Sequence, residues 1–176
     1  MGTQLGAQHI FIASLEFAYK GSELRGEMAA AELPRLQDML AAPEGKISYV
    51  VRGLQGWDGA PMLEIKLDGQ CQLRCQRCLQ GFDYPVQLLT SLMLVPDSQL
   101  DQPAVEGDEI DSIPADAHLN VLALLEDELL LSLPFAPKHP VGTCQPVVAG
   151  YMNEEMERVE NPPFAALAKL KKFVKE

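Results

Sequence analysis

Three of the chain's four cysteines lie in Cys71-Gln-Leu-Arg-Cys75-Gln-Arg-Cys78-Leu-Gln-Gly-Phe82. The fourth, Cys144, comes far downstream in Lys138-His-Pro-Val-Gly-Thr-Cys144. Closely spaced thiols with a distant partner can converge on one ion or form a redox pair. Convergence on one ion would tie the cysteine element to a segment well beyond it. Arg74 and Arg77 add positive charge that favours the thiolates both uses need.

At 176 residues the chain can bury one good core, and its 47% apolar and 22% charged content suits a soluble globular protein. No apolar run reaches the roughly 18 to 20 residues needed to span a bilayer. The Leu129–Pro137 run is short and follows Glu126-Asp127-Glu128. The N-terminus lacks a basic stretch followed by an apolar block, so a secretory signal is not expected and a cytoplasmic location is. Four cysteines in a chain this long do not suggest a secreted disulfide scaffold.

A formal charge of −11 argues against a whole surface devoted to nucleic acid, because phosphate is repelled at long range. The charge is uneven. Asp97 to Glu128 contains no Lys or Arg, whereas Lys169, Lys171, Lys172 and Lys175 crowd the C-terminal end. An acidic body with a basic tail suits a basic protein partner, or RNA met through local patches. The plain alternative is that the acidic charge keeps the protein soluble.

Patterning places the cysteines between strands. His9–Tyr19, rich in aromatic and β-branched residues, reads as a strand or extended entry. Glu32–Leu40 has helical spacing with Pro34 in its first turn, and Pro43 and Gly45 stop it. Ile47–Val51, Met62–Leu67 and Tyr84–Val95 are strand candidates. A Gly-rich turn spans Gly53 to Gly59, and Asp68-Gly69 is a turn dipeptide. Pro96–Asp116 is acidic and Pro/Gly-containing, as expected of an exposed, mobile loop. Leu122, Leu125, Leu129 and Leu133 form one helical face that Asp116 can cap and Pro134 ends. Val141–Pro162 reads as loose, and Phe164–Phe173 as a short amphipathic helix.

Three blocks then stand in order: Cys75-Gln-Arg-Cys78-Leu79; L-L-E-D-E-L-L-L-S-L-P-F-A-P-K-H running into Cys144; and N-P-P-F-A-A-L-A-K-L-K at the tail. Together they resemble the YceD family, the bacterial large ribosomal RNA subunit accumulation proteins. The likeness covers roughly Cys75 to Lys172. It implies a role in synthesis, processing or stability of large-subunit ribosomal RNA, with no known reaction attached. The chain departs from the family pattern by an extra proline in Asn161-Pro162-Pro163-Phe164, and by Cys71, which that pattern does not ask for.

The cysteines admit three readings. Cys75-x-x-Cys78 has the bite of a structural zinc knuckle, with Gly81 suited to its turn, Cys144 as third ligand and Cys71 or His139 as fourth. The metal set adopted from sequence is Cys75, Cys78, Cys144 and Cys71. Alternatively the thiols are reduced and metal-free, packed as small apolar residues, or they form a thiol–disulfide pair, for which the βαβ context is missing. Arg74, Arg77, Lys138, His139, Lys169, Lys171 and Lys172 are candidate contacts to RNA or a partner, with Phe82, Tyr84 and Phe164 as stacking surfaces; singly, each also reads as core or solvated surface. Glu126-Asp127-Glu128 point about 100° apart on a helix and cannot converge on one substrate, so they read as a solvated face or an anchor for a basic partner. No Walker loop, nucleophile elbow or H-E-x-x-H is present, and three histidines show no catalytic arrangement.

The sequence thus predicts a single α+β domain over residues 1–176. A twisted antiparallel sheet, open or partly closed, packs against one long helix and two shorter ones. A mobile acidic loop is expected near 96–116 and a loose segment near 141–162. The expected function is a non-enzymatic ribosome-biogenesis factor whose partner is large-subunit ribosomal RNA precursor or a basic ribosomal protein, with zinc as its one candidate cofactor. No membrane association or small-molecule substrate is expected. The runner-up is a zinc-stabilised interaction module with another partner, then a CxxC thiol–disulfide protein.

Overall fold

The computed structural model describes residues 10–100 and 110–144. In chain order the elements are β1 (Phe11–Ile12), α1 (Ser14–Tyr19), β2 (Glu23–Ala29), β3 (Leu40–Gln55), β4 (Pro61–Arg74), β5 (Gly81–Val95), α2 (Asp97–Leu100), β6 (Asp111–Pro114), β7 (Leu119–Asn120) and α3 (Val121–Ser132). Short 3-10 turns at Ala30–Glu32 and Gln37–Met39 join β2 to β3. The main sheet is open and five-stranded in the order β2-β3-β4-β5-β6, antiparallel except for the parallel β5–β6 pair. β1 and β7 pair separately.

Alternation along the strands builds the core. Leu63, Ile65, Leu67, Cys71 and Leu73 of β4 are buried together with Ile47, Tyr49 and Val51 of β3 and Val86, Leu92 and Leu94 of β5. Residues two apart share a face, so each strand commits one side to the interior. Val121, Leu124, Leu125 and Leu129 of α3 join the same cluster.

Several sequence expectations need correction. Within the described part of His9–Tyr19, which begins at Ile10, strand pairing is confined to Phe11–Ile12, and Ser14–Tyr19 is helical. Strand β2 escaped the sequence reading because Gly26 interrupts its inner apolar face between Leu24 and Met28. A Cβ at Gly26 would lie 2.4 Å from the Tyr49 hydroxyl, so the glycine makes room for that ring. The helix expected over Glu32–Leu40 is two separate 3-10 turns. Between them Arg35 and Leu36 give their N–H groups to the Glu126 carboxylate, at 2.7 and 3.2 Å, instead of to a helical ladder.

Asp68-Gly69 is no turn. Both residues continue β4, paired with Ser48 and Ile47 on one side and Gln87 and Val86 on the other. A Cβ at Gly69 would stand 2.2 Å from the Lys46 carbonyl oxygen, so glycine is required by the close approach of β3. At the ends of the segment expected to be a mobile loop near 96–116 stand α2 and β6, and its residues 101–109 lie outside the described residues. Asn120, not Asp116, caps α3, its side chain accepting from the Ala123 N–H at 3.2 Å. Asp116 accepts instead from the His118 N–H at 2.8 Å. The helix expected over Phe164–Phe173 and most of the loose segment near 141–162 lie outside the described residues.

Candidate metal centre

The β4–β5 connection folds back tightly between Arg74 and Gly81, which face each other across the ladder. The Cys75 N–H donates to the Gln80 carbonyl at 2.9 Å, the Leu79 N–H to the Cys75 carbonyl at 2.9 Å, and the Arg77 N–H to the Cys75 sulfur at 3.4 Å. The left-handed position of this turn is Leu79, at φ 62, and not the expected Gly81, which already belongs to β5. A leucine in that conformation is uncommon, and here its side chain is largely exposed.

The chain returns to this turn after α3. Pro134 ends the helical run, and the Gln76 N–H donates to the Pro137 carbonyl at 2.8 Å, laying the segment across the knuckle. A tight turn follows, in which the N–H and hydroxyl of Thr143 both donate to the Pro140 carbonyl, at 3.2 and 2.8 Å. That turn delivers Cys144.

Four side chains meet as a result. One ligand atom from each of Cys75, Cys78, His139 and Cys144 lies within 4.8 Å of all the others. The Cys75 and Cys144 sulfurs are 3.8 Å apart, and the Cys78 sulfur is 3.4 Å from His139 Nδ1. Cys75 and Cys78 are buried, whereas Cys144 is partly exposed. The His139 ring leans on Phe82, centroids 4.9 Å apart. Burial on its own pushes the Cys75 thiol up. Backbone N–H groups of His139, Cys78 and Arg77, with the His139 ring, outweigh it and hold the thiol well below the ordinary cysteine range. Cys144 shifts the other way, raised by burial and by its sulfur neighbours.

Cys71 is not part of this group. It sits within β4, four residues before Cys75, which follows the strand's last residue Arg74, and extended backbone at the usual rise puts about 13 Å between them. Its side chain is 1% exposed within the hydrophobic core, and burial pushes its thiol up to about 11. His139 takes the fourth place, as the other candidate that the spacing left open.

The remaining predicted site residues divide. Arg74, Arg77 and Lys138 are exposed around the quartet, and Arg74 reaches the Leu40 carbonyl at 3.3 Å. Phe82 and Tyr84 are partly buried against the core, in edge contact with each other. Lys169, Lys171, Lys172 and Phe164 lie outside the described residues. Glu126 is not on a solvated face: it is 4% exposed, and it holds the Arg35 and Leu36 amides. Asp127 beside it pairs with the Arg35 side chain. Phe135 and Val141, both fully exposed beside the site, did not stand out in the sequence as surface residues.

A family model, described as large ribosomal RNA subunit accumulation protein YceD, matches residues 63–171. The chain belongs to the YceD family. The matched region includes the whole quartet and α3. A relative from Haemophilus influenzae, the large ribosomal RNA subunit accumulation protein YceD, is 26% identical over 167 residues, covering 83% of this chain and 86% of that protein. No solved structure matches the chain. Among the described residues, no helix is long and apolar enough to cross a membrane.

Proposed function

We propose that this protein supports large-subunit ribosomal RNA accumulation as a non-catalytic binding factor. In this reading its contact face is organised by a zinc ion held by Cys75, Cys78, His139 and Cys144. The observation that carries the metal is the spacing of the quartet. A tetrahedron with Zn–S bonds of ~2.3 Å and a Zn–N bond of ~2.0 Å has edges of ~3.8 Å between sulfurs and ~3.5 Å between sulfur and nitrogen. Two of the six separations here are 3.8 and 3.4 Å, and all six lie within 4.8 Å. The chemistry also fits, since three sulfurs and one imidazole nitrogen form a closed structural set with no open position for a substrate.

RNA is favoured as the partner by local charge. Residues 71–82 and 134–144 contain no Asp or Glu, in a chain with 25 of them, yet they carry Arg74, Arg77, Lys138 and His139. A cationic patch on an acidic body confines phosphate contact to one face. The exposed Phe135 and Leu79 beside those cations offer apolar surface to unstacked bases.

The test is elemental analysis of the purified full chain, followed by binding to large-subunit precursor RNA over a range of salt. About one zinc per chain, lost in Cys78→Ser, supports the metal. An Arg77→Glu variant that weakens RNA binding and flattens its salt dependence supports the contact face. Absence of metal removes the zinc. Binding unchanged in Arg77→Glu removes the face, and capture of a basic ribosomal protein with no RNA affinity assigns the role to protein contact.

A further inference from the structure

The same sulfurs have a second chemistry, independent of any metal. We propose that Cys75 and Cys144 form an oxidation site that closes into a disulfide on exposure to a hydroperoxide. Their sulfurs are 3.8 Å apart and their residues 69 positions apart in sequence, so the fold, not chain proximity, makes the pair. A disulfide needs ~2.05 Å between sulfurs, so closure requires an approach of less than about 2 Å.

The two sides are unequal in a useful way. Cys75 is anchored, with its N–H given to Gln80 and its sulfur accepting from Arg77. Cys144 sits at the end of the Pro140–Thr143 turn and is the one partly exposed cysteine of the group. The hydroperoxide therefore meets the Cys144 sulfur first. The Cys144 proton passes along the Cys144–Cys75 sulfur contact to the Cys75 sulfur, and the Cys144 thiolate takes the terminal peroxide oxygen: the O–O bond breaks, an alcohol or water leaves with a proton from solvent, and Cys144 becomes a sulfenic acid. The Cys75 sulfur then attacks the Cys144 sulfur. The S–S bond forms, the S–O bond breaks, and the hydroxyl leaves as water with the Cys75 thiol proton. Two thiols are oxidised by two electrons and one peroxide is reduced.

The disulfide consumes two of the four atoms in the quartet, so the cross-linked form and the four-ligand form exclude each other. It leaves Cys78 as a thiol within the cluster, beside His139. Cys71 cannot compete, being sealed in the core of β4.

The experiment uses the reduced full chain, treated with one equivalent of hydrogen peroxide, trapped with a thiol alkylator and mapped by peptide mass spectrometry. A chromogenic chelator in parallel records any zinc released. The expected result is one dominant Cys75–Cys144 cross-link, with Cys71 and Cys78 alkylated, and the same cross-link in Cys78→Ser. A dominant Cys75–Cys78 cross-link, or four alkylated cysteines, overturns the proposal. The mapping needs no metal. A Cys75–Cys144 link in protein that elemental analysis finds zinc-free upholds this site while removing the zinc, and metal present with a Cys75–Cys78 link does the reverse.

Discussion

Glu126 gives the sharpest test of how the fold is held. Its Oε1 accepts the N–H of Arg35 at 2.7 Å and of Leu36 at 3.2 Å, and the residue is 4% exposed. Glu126→Ala removes the acceptor from both donors. Leu36 is wholly buried, so its amide is left without water and costs about 2–3 kcal/mol. Arg35 is exposed and water can replace part of its bond, so about 1 kcal/mol is lost there. The sum is about 3–4 kcal/mol, a fall of roughly 10 °C in Tm for a chain of this size. Glu126→Gln keeps a carbonyl oxygen in the same place and costs only about 1 kcal/mol. Asp127→Ala breaks an exposed ion pair with Arg35 and costs less than about 1 kcal/mol. Urea unfolding followed by circular dichroism reads all three. If Glu126→Ala loses no more than Asp127→Ala, or if the Gln variant falls as far as the Ala variant, the carboxylate does not hold this loop and the reasoning fails.

Gly69→Ala should lose at least 2 kcal/mol in the same assay, because its Cβ lies 2.2 Å from a backbone oxygen that cannot swing away. A variant with wild-type stability would falsify the close-approach account. Cys71→Ala should keep its full metal content, whereas Cys144→Ser should lose most of it; equal loss in both would return Cys71 to the ligand set. Alkaline pH should weaken the fold through Cys71, whose thiol burial raises from 9.0 to about 11. The unfolded chain loses that proton first, so this contribution is complete below pH 9 and disappears as pH rises to about 11. Tyr49 shifts the same way, through burial and the Glu32 charge. Tm measured from pH 8 to 11 should therefore fall less steeply in Cys71→Ala than in the parent, and parallel slopes would refute the assignment.

What the sequence made legible was periodic or local. Alternation marks Leu63, Ile65 and Leu67 as one face of β4, and the leucine spacing marks α3. Cys75-x-x-Cys78 marks the knuckle, since its geometry is fixed within a few residues. What it hid depends on contacts between distant segments. Gly69 looks like a turn residue because glycine's two uses, positive φ and close approach, leave the same letter; the nearness of Lys46 separates them. Glu126 looks like surface charge because its partners lie 90 and 91 residues away. The choice between Cys71 and His139 likewise turns on strand geometry. Once β4 is known to run unbroken through Gly69 to Arg74, its rise carries Cys71 out of reach, and Pro137 sets His139 beside Cys78.

The placement of the quartet explains why a binding factor would use a metal here. The segment after α3 is irregular, and irregular backbone carries little of its own stability. The Gln76–Pro137 bond holds it at one point, and an ion on the four converging ligand atoms would hold it at its far end. A zinc with three thiolates and a neutral imidazole has a single net negative charge. Arg74, Arg77 and Lys138, exposed beside it, would leave that face positive. The ion would then stiffen the loop without cancelling the cations that meet phosphate. Oxidation of Cys75 and Cys144 would keep the segment attached through a covalent bond while dismantling the metal set. Attachment and metal content would thereby become separable, so the oxidised protein should show whether partner binding follows the tether or the ion.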